Sequence, residues 1–304
     1  MKSDGRNHAR MSEWVLAAYF AYTSVLALTL PIDPAMRVRA LAVNAAVAAS
    51  YALLLRAARR LEQNWPGVLR DWAPIALALV AYKQMGWFAP ANHSYALERG
   101  WLVWDRLLLD GWGLRGAIES LSVWAPSLLE LSYLLVYALP VFCMAMIYAH
   151  HRRERADVLL TIYLLGLFLS YAQFPFWPSE PPWTVFAGQD LPPVTTAFRR
   201  LNLALLGSEG IHTSVFPSAH VSGAFAAAFA MRRVLGDKPW LGRSTLAYAI
   251  LVALAVVYGR YHYAADAVAG IGVAVAACTV YALAIQPRGP AWHPLWVWRR
   301  RCCR

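Results

Sequence analysis

The chain has 304 residues, 59% of them hydrophobic and 15% charged, with a net charge of +11 and a mean hydropathy of +0.41. A soluble domain carries about 25% charged residues to cover its surface, so this composition excludes an ordinary water-soluble enzyme. The positive charge does not indicate nucleic acid either, because the basic residues fall between apolar blocks instead of forming one patch.

Crossing the hydrocarbon core takes roughly 20 apolar residues, with about 17 to 25 tolerated. In chain order the apolar blocks are 14–30, 41–55, 73–90, 125–149, 158–174, 215–231, 245–258 and 264–285. They predict an all-α membrane bundle of about eight transmembrane helices, with the seventh block short. The first block follows basic residues but is not followed by a small-residue cleavage site, so it is expected to be retained as a span. Between blocks three and four lies a Trp-rich stretch, 91–124, holding Trp101, Trp104, Asp105, Arg106, Asp110, Trp112 and Arg115. Indole rings favour the membrane interface, and the stretch is expected to lie there. Segment 178–214 is rich in Pro and Gly and too polar to span, and 259–263 is a tight connection between the last two blocks. No internal repeat is present. The expected organisation is N-terminal spans over 1–90, the interfacial segment over 91–124, a core over 125–286 and a basic tail over 287–304.

Orientation follows from the cations. With a cytoplasmic N-terminus and eight spans, nineteen of the 28 Lys and Arg residues fall inside and eight outside, with Lys83 within a span. The positive-inside rule predicts this bias. Four cysteines give no disulfide framework; Cys143 and Cys278 lie in apolar blocks, and Cys302 and Cys303 lie in the tail. The same topology places His93, His212, His220 and His262 outside. His220 opens the sixth span and His262 precedes the eighth, so both meet one surface beside helix N-termini. Free N–H groups and the positive dipole end favour an anion there. The sequence alone therefore marks a site for phosphate chemistry.

Two stretches supply the chemistry. In Phe216-Pro217-Ser218-Ala219-His220, Pro217 suits a helix start and Ser218 can cap the helix or donate to a phosphate oxygen. In Gly259-Arg260-Tyr261-His262-Tyr263-Ala264-Ala265-Asp266, His262 and Asp266 are four apart and share a helix face. A carboxylate there fixes the imidazole tautomer and leaves the other nitrogen free to attack phosphorus. Arg260 offers a planar fork of donors for phosphate oxygens. Arg199, Arg200 and the intramembrane Lys83 are further candidates for phosphate or headgroup binding, since charges within spans are rare and usually functional. Glu130 is a weaker case of the same kind. His212 and His93 are read as structural or interfacial. A zinc site from His212, His220, His262 and Asp266 fits no zinc spacing.

These stretches resemble the second and third motifs of the type-2 phosphatidic-acid phosphatase superfamily, Pro-Ser-Gly-His and Ser-Arg-x5-His-x3-Asp. Here Ala219 replaces the Gly, and Ala255-Val256 stand where Ser-Arg is usual. The first motif, Lys-x6-Arg-Pro, is absent. The stretch Phe174-Pro175-Phe176-Trp177-Pro178-Ser179-Glu180-Pro181-Pro182-Trp183 is similar to the Pro-rich replacement found in the inositol phosphorylceramide synthase-like, inositolphosphotransferase branch. Tyr263, Trp104-Asp105-Arg106 and Leu131-Ser132-Tyr133 resemble that branch too. The resemblance runs roughly from Trp104 to Gly270. It implies a lipid phosphotransferase with His262 as nucleophile through a phosphohistidine, Asp266 orienting it, His220 as acid then base, and Ser218 and Arg260 holding phosphate oxygens. It implies no metal and no cofactor. The substrates would be a phospholipid or polyprenyl phosphate, at the extracytoplasmic face of a bacterial inner membrane. A lipid phosphate phosphatase with water as acceptor, a hydrolase, is the close alternative; a non-catalytic lipid or phosphate transporter is the distant one.

Overall fold

The computed structural model describes residues 9–61, 63–90, 93–211 and 215–285. Every regular element among them is helical. The first three helices are α1 (Met11–Thr29), α2 (Pro34–Arg60) and α3 (Trp65–Met85). Asp33 starts α2 by accepting from the Ala35 amide at 2.7 Å, with Pro34 at the position where a missing N–H costs nothing. The expected interfacial stretch forms α4 (Ala96–Arg106), a π turn (Leu107–Gly111) and the short α5 (Leu114–Glu119). The fourth apolar block is not one straight helix. It is α6 (Trp124–Leu135) and α7 (Leu139–Ala149), joined by a 3-10 turn at Val136–Ala138 just before Pro140. Then come α8 (Ala156–Tyr171), α9 (Pro182–Val185), α10 (Ala197–Glu209), α11 (Ala219–Val234), α12 (Pro239–Tyr258) and α13 (Ala264–Val280), the last continued as a π turn to Ile285.

Five of these stretches are long and apolar enough to cross a bilayer: α1, α2, α6 with α7, α12, and α13 with its extension. The chain is thus an integral membrane protein. The other three expected spans fall on α3, α8 and α11. Helix α3 carries Arg70, Asp71 and Lys83, while α8 and α11 have 16 residues each. The last two are the inner helices. Nearly all of α11 is buried, packed on α8, α12 and α13. Close packing there depends on absent side chains. A Cβ on Gly166 of α8 would stand 2.5 Å from that of Ala226, and one on Gly270 of α13 would stand 2.6 Å from the Ser218 carbonyl oxygen. Small residues at such crossings let backbones approach where lipid offers no hydrophobic drive. By contrast, α2 buries only Ala40, Asn44 and Ala58 and presents its other faces to lipid.

One end of the bundle is held by charge. Asp71, 1% exposed, accepts from Arg10 at 2.5 Å, from Arg153 at 2.6 Å and from the Tyr148 hydroxyl, while Glu13 pairs with Arg70 at 2.8 Å. The N-termini of α11 and α13 lie at the other end, under α4.

Candidate active site

Helix α11 begins where the sequence places it. Ser218 is the N-cap, and its Oγ accepts from the Val221 amide at 3.4 Å. The Ser218 amide donates to the Asp266 carbonyl at 3.0 Å, which sets the start of α11 against the first turn of α13. His220 follows in the first turn. The hairpin from α12 to α13 turns through Arg260, whose φ of 62° is left-handed. The Tyr261 and His262 amides then both donate to the Val256 carbonyl, at 2.9 and 3.0 Å. This doubles the chain back and aims His262 at His220.

The two histidines meet. His220 Nδ1 lies 3.3 Å from His262 Nε2, and His262 Nδ1 lies 3.3 Å from Asp266 Oδ2. The same carboxylate oxygen accepts from the Tyr263 amide at 2.9 Å. Asp266 is fully buried and His262 is 5% exposed. Burial lowers the His262 pKa to about 4, against the backbone of Val215, so the imidazole is neutral at physiological pH. A neutral ring with Nδ1 held by a carboxylate keeps Nε2 for a substrate. The chain of contacts does not stop at His220, whose Nε2 lies 3.0 Å from the Tyr137 hydroxyl. Tyr137 sits in the 3-10 turn between α6 and α7. Nothing in the spacing of the sequence points to it, because the contact with His220 is made at the break in that span.

Two cavities meet at His220. The smaller, about 50 Å³, is lined by His220, His262, Tyr133, Tyr261, Pro181 and Trp183 among others. The larger, about 160 Å³, is an apolar groove between α3, α7, α8 and α11. Tyr82, Ala219 and His220 belong to both. Pro181 and Trp183 come from the Pro-rich stretch, and the Trp183 amide donates to the Arg260 carbonyl at 3.2 Å.

The cationic residues differ from expectation. Arg260 does not line the cavity. It is 1% exposed, its Nη1 donates to Asp105 of α4, and its Nε and Nη2 have no partner among the described residues. Arg260 has left-handed backbone and sends its guanidinium to α4, while the His262 ring meets His220. Arg199 is also absent from the lining. It pairs with Glu130 at 2.9 Å and donates to the Gly259 carbonyl at 3.0 Å. Glu130 further accepts from Asn202 at 2.8 Å and from the Tyr261 hydroxyl at 2.6 Å. An intramembrane carboxylate and a loop arginine thus satisfy each other and tie α6 and α10 to the hairpin that carries His262. Ser218 is buried beneath the lining, and Arg200 and Lys83 are exposed on α10 and α3. Two of the amides at the start of α13 are taken as well. Tyr263 N donates to Asp266 and Ala264 N to Asp105 at 2.8 Å. His212 lies outside the described residues, as do Cys302, Cys303 and the Trp-rich tail. His93 pairs with Glu98 at 2.6 Å, away from the two histidines.

The family model of the PAP2 superfamily matches residues 105–280, more than half of the chain, and its span takes in Asp105, His220, His262 and Asp266. No curated protein and no solved structure is matched by the chain. Together with the membrane-spanning helices, the match shows that the chain belongs to the PAP2 superfamily, the type-2 phosphatidic-acid phosphatases, and is a membrane-embedded enzyme of the lipid phosphatase and phosphotransferase type.

Proposed function

We propose that the enzyme transfers a phosphate-bearing group from a lipid donor to a hydroxyl acceptor through a phosphohistidine on His262. The observation that carries this reading is the unbroken run of contacts from Asp266 to His262 to His220. In the first step His262 Nε2 forms a bond to phosphorus while the bond to the lipid oxygen breaks, and His220 gives that oxygen its proton. In the second step an acceptor hydroxyl passes its proton to His220 and attacks the phosphohistidine, releasing His262. Splitting the transfer in two lets each half use the same pair of imidazoles. Asp266 holds His262 in one tautomer and balances the positive charge it gains.

A lipid donor is supported by the apolar groove, which reaches His220 from the bilayer side. Transfer, as in the inositolphosphotransferase branch, is supported by the Pro-rich stretch, which walls the smaller cavity with Pro181 and Trp183. Such a wall narrows the route for water as a competing acceptor. Ser218 acts by capping α11 through the Val221 amide, and the amides of Ala219 and His220 face the equatorial phosphate oxygens. Arg200 and Lys83, both exposed, meet the headgroup, while Arg260 and Arg199 act at one remove by fixing the hairpin. The bias of basic residues supports eight spans, with α3, α8 and α11 crossing among longer neighbours, and a site on the extracytoplasmic face of the plasma membrane.

The test is mass spectrometry of lipid products. Wild type and His262→Ala are incubated with a total bacterial lipid extract supplemented with ceramide and inositol. A new lipid bearing a transferred phospho-headgroup, made only by the wild type, is expected. Dephosphorylated lipid and free phosphate alone would refute transfer and leave hydrolysis. Turnover by His262→Ala would refute the nucleophile.

A further inference from the structure

Helix α4 lies across the end of the bundle where His220 and His262 meet, and its last turn carries Asp105, which is fully buried. Its two carboxylate oxygens go to two points of one short segment. Oδ2 accepts from Arg260 Nη1, and Oδ1 accepts from the Ala264 amide at 2.8 Å. His262 stands midway between those points. Two further contacts reach the same segment, from Trp101 and from Trp183. Trp101, one turn earlier on α4, stacks on Phe216 at 5.1 Å and packs on Tyr263 at 5.5 Å. The Trp183 amide holds the Arg260 carbonyl. Arg260 itself is in the left-handed region, which a non-glycine residue occupies only when its surroundings fix it.

From this geometry we infer that Asp105 is a positioning residue for catalysis: it clamps the 260–264 segment on both sides of His262 and so fixes the approach of Nε2 to the phosphorus. The interfacial segment is then a permanent part of the site and not a cover that opens. The clamp also completes α13. The residue at its N-cap position, Tyr263, has no short polar side chain for the first amides, and a carboxylate from 159 residues earlier serves the Ala264 amide instead. The pairing is an ion pair at Arg260 and a charge-assisted bond to a backbone amide at Ala264, and loss of the Asp105 carboxylate removes both.

The inference rests on the reading of His262 as nucleophile, and the experiment separates the two. Rates of phosphate-containing product formation are measured on vesicles of total bacterial polar lipid, per mole of folded protein, for wild type, His262→Ala, Asp105→Ala and Asp105→Ala with Arg260→Gln. For Asp105→Ala, kcat is expected to fall about 100-fold with KM nearly unchanged, the loss that a misplacement of about 1 Å brings. The acid limb of the pH profile is also expected to rise toward that of an exposed imidazole, as His262 leaves its buried place. The titratable groups in contact with His262 are His220 from α11 and Asp266 from α13; Asp105 and Arg260 act on Asp266 through space, and the Arg260 cation left by the change would push the limb down, opposite to the expected rise. A smaller yield of folded enzyme, with the rate per folded molecule and that limb both unchanged, would overturn the inference. The double variant removes the buried cation along with the carboxylate. It is expected to stay slow, since the clamp is still missing; recovery to wild-type rates would show that Asp105 only neutralises Arg260. Turnover lost in His262→Ala but intact in Asp105→Ala would remove the inference alone. Turnover surviving in His262→Ala would remove the reading beneath it as well.

Discussion

Replacing Gly270 by alanine tests how closely α11 and α13 must approach for the two histidines to meet. A Cβ at this position would lie 2.6 Å from the Ser218 carbonyl oxygen, 3.1 Å from Val221 Cβ and 3.3 Å from the Ser222 amide nitrogen. Ordinary contacts need about 3.5 Å, so α13 has to retreat by about 1 Å from a backbone that has no side-chain freedom to give. Overpacking of this kind costs typically 1–3 kcal/mol. The retreat occurs one turn from Asp266, whose carbonyl accepts from the Ser218 amide at 3.0 Å. It therefore parts His262 from His220, and a displacement of that size lowers turnover about 100-fold. Gly272 is the control, because nothing lies within 4 Å of a Cβ built there. On the exposed face of the same helix, alanine at 272 is expected to be neutral or to stabilise by up to about 1 kcal/mol. Thermal unfolding in detergent and kcat on lipid vesicles, measured for both variants, decide the matter. Equal melting temperatures and equal kcat for Gly270→Ala and Gly272→Ala would refute the argument that this crossing sets the geometry of the site.

Two other predictions concern acid and orientation. In the proposed mechanism His262 is a neutral nucleophile, and burial lowers its pKa to about 4, so it stays deprotonated through the range where a free imidazole would gain its proton. The acid limb of kcat/KM should fall well below pH 6.5, and a limb at or above that value would contradict a buried nucleophile. For orientation, Ala187 is exposed just beyond α9. In a variant lacking its own cysteines, Ala187→Cys should react with an impermeant thiol reagent on intact cells, and labelling that needs permeabilised cells would invert the topology.

The residues that touch were the easier part to read from the sequence. His220, His262 and Asp266 stand at spacings that put them on first turns at one surface, and the structure brings all three into one line. Spans were legible where apolar blocks were long. The limits of α8 and α11 were less so, because inner helices need not be long or uniformly apolar once their neighbours shield them from lipid. Arg260 and Arg199 stand away from the cavity for a physical reason. Sequence spacing locates Arg260 beside His262, but the sign of one φ angle decides on which side of the hairpin its guanidinium lies. Asp105 joins the site through Arg260, 155 residues on, Glu130 through Tyr261, 131 residues on, and Tyr137 through His220, 83 residues on. Spacing along the chain carries no information about such pairs, and Tyr137 depended on a break within a span that composition reads as continuous.

The long separation between Asp105 and its partners has a consequence for synthesis. Helix α4 leaves the ribosome 155 residues ahead of Arg260. Until the α12–α13 hairpin arrives, a buried Asp105 would be an uncompensated charge in a medium of low dielectric, at a penalty of several kcal/mol. The nascent α4 must therefore remain hydrated at the membrane surface and settle only when the last hairpin is inserted. A half-made chain is thus inert, and the enzyme gains its chemistry in one late event of assembly.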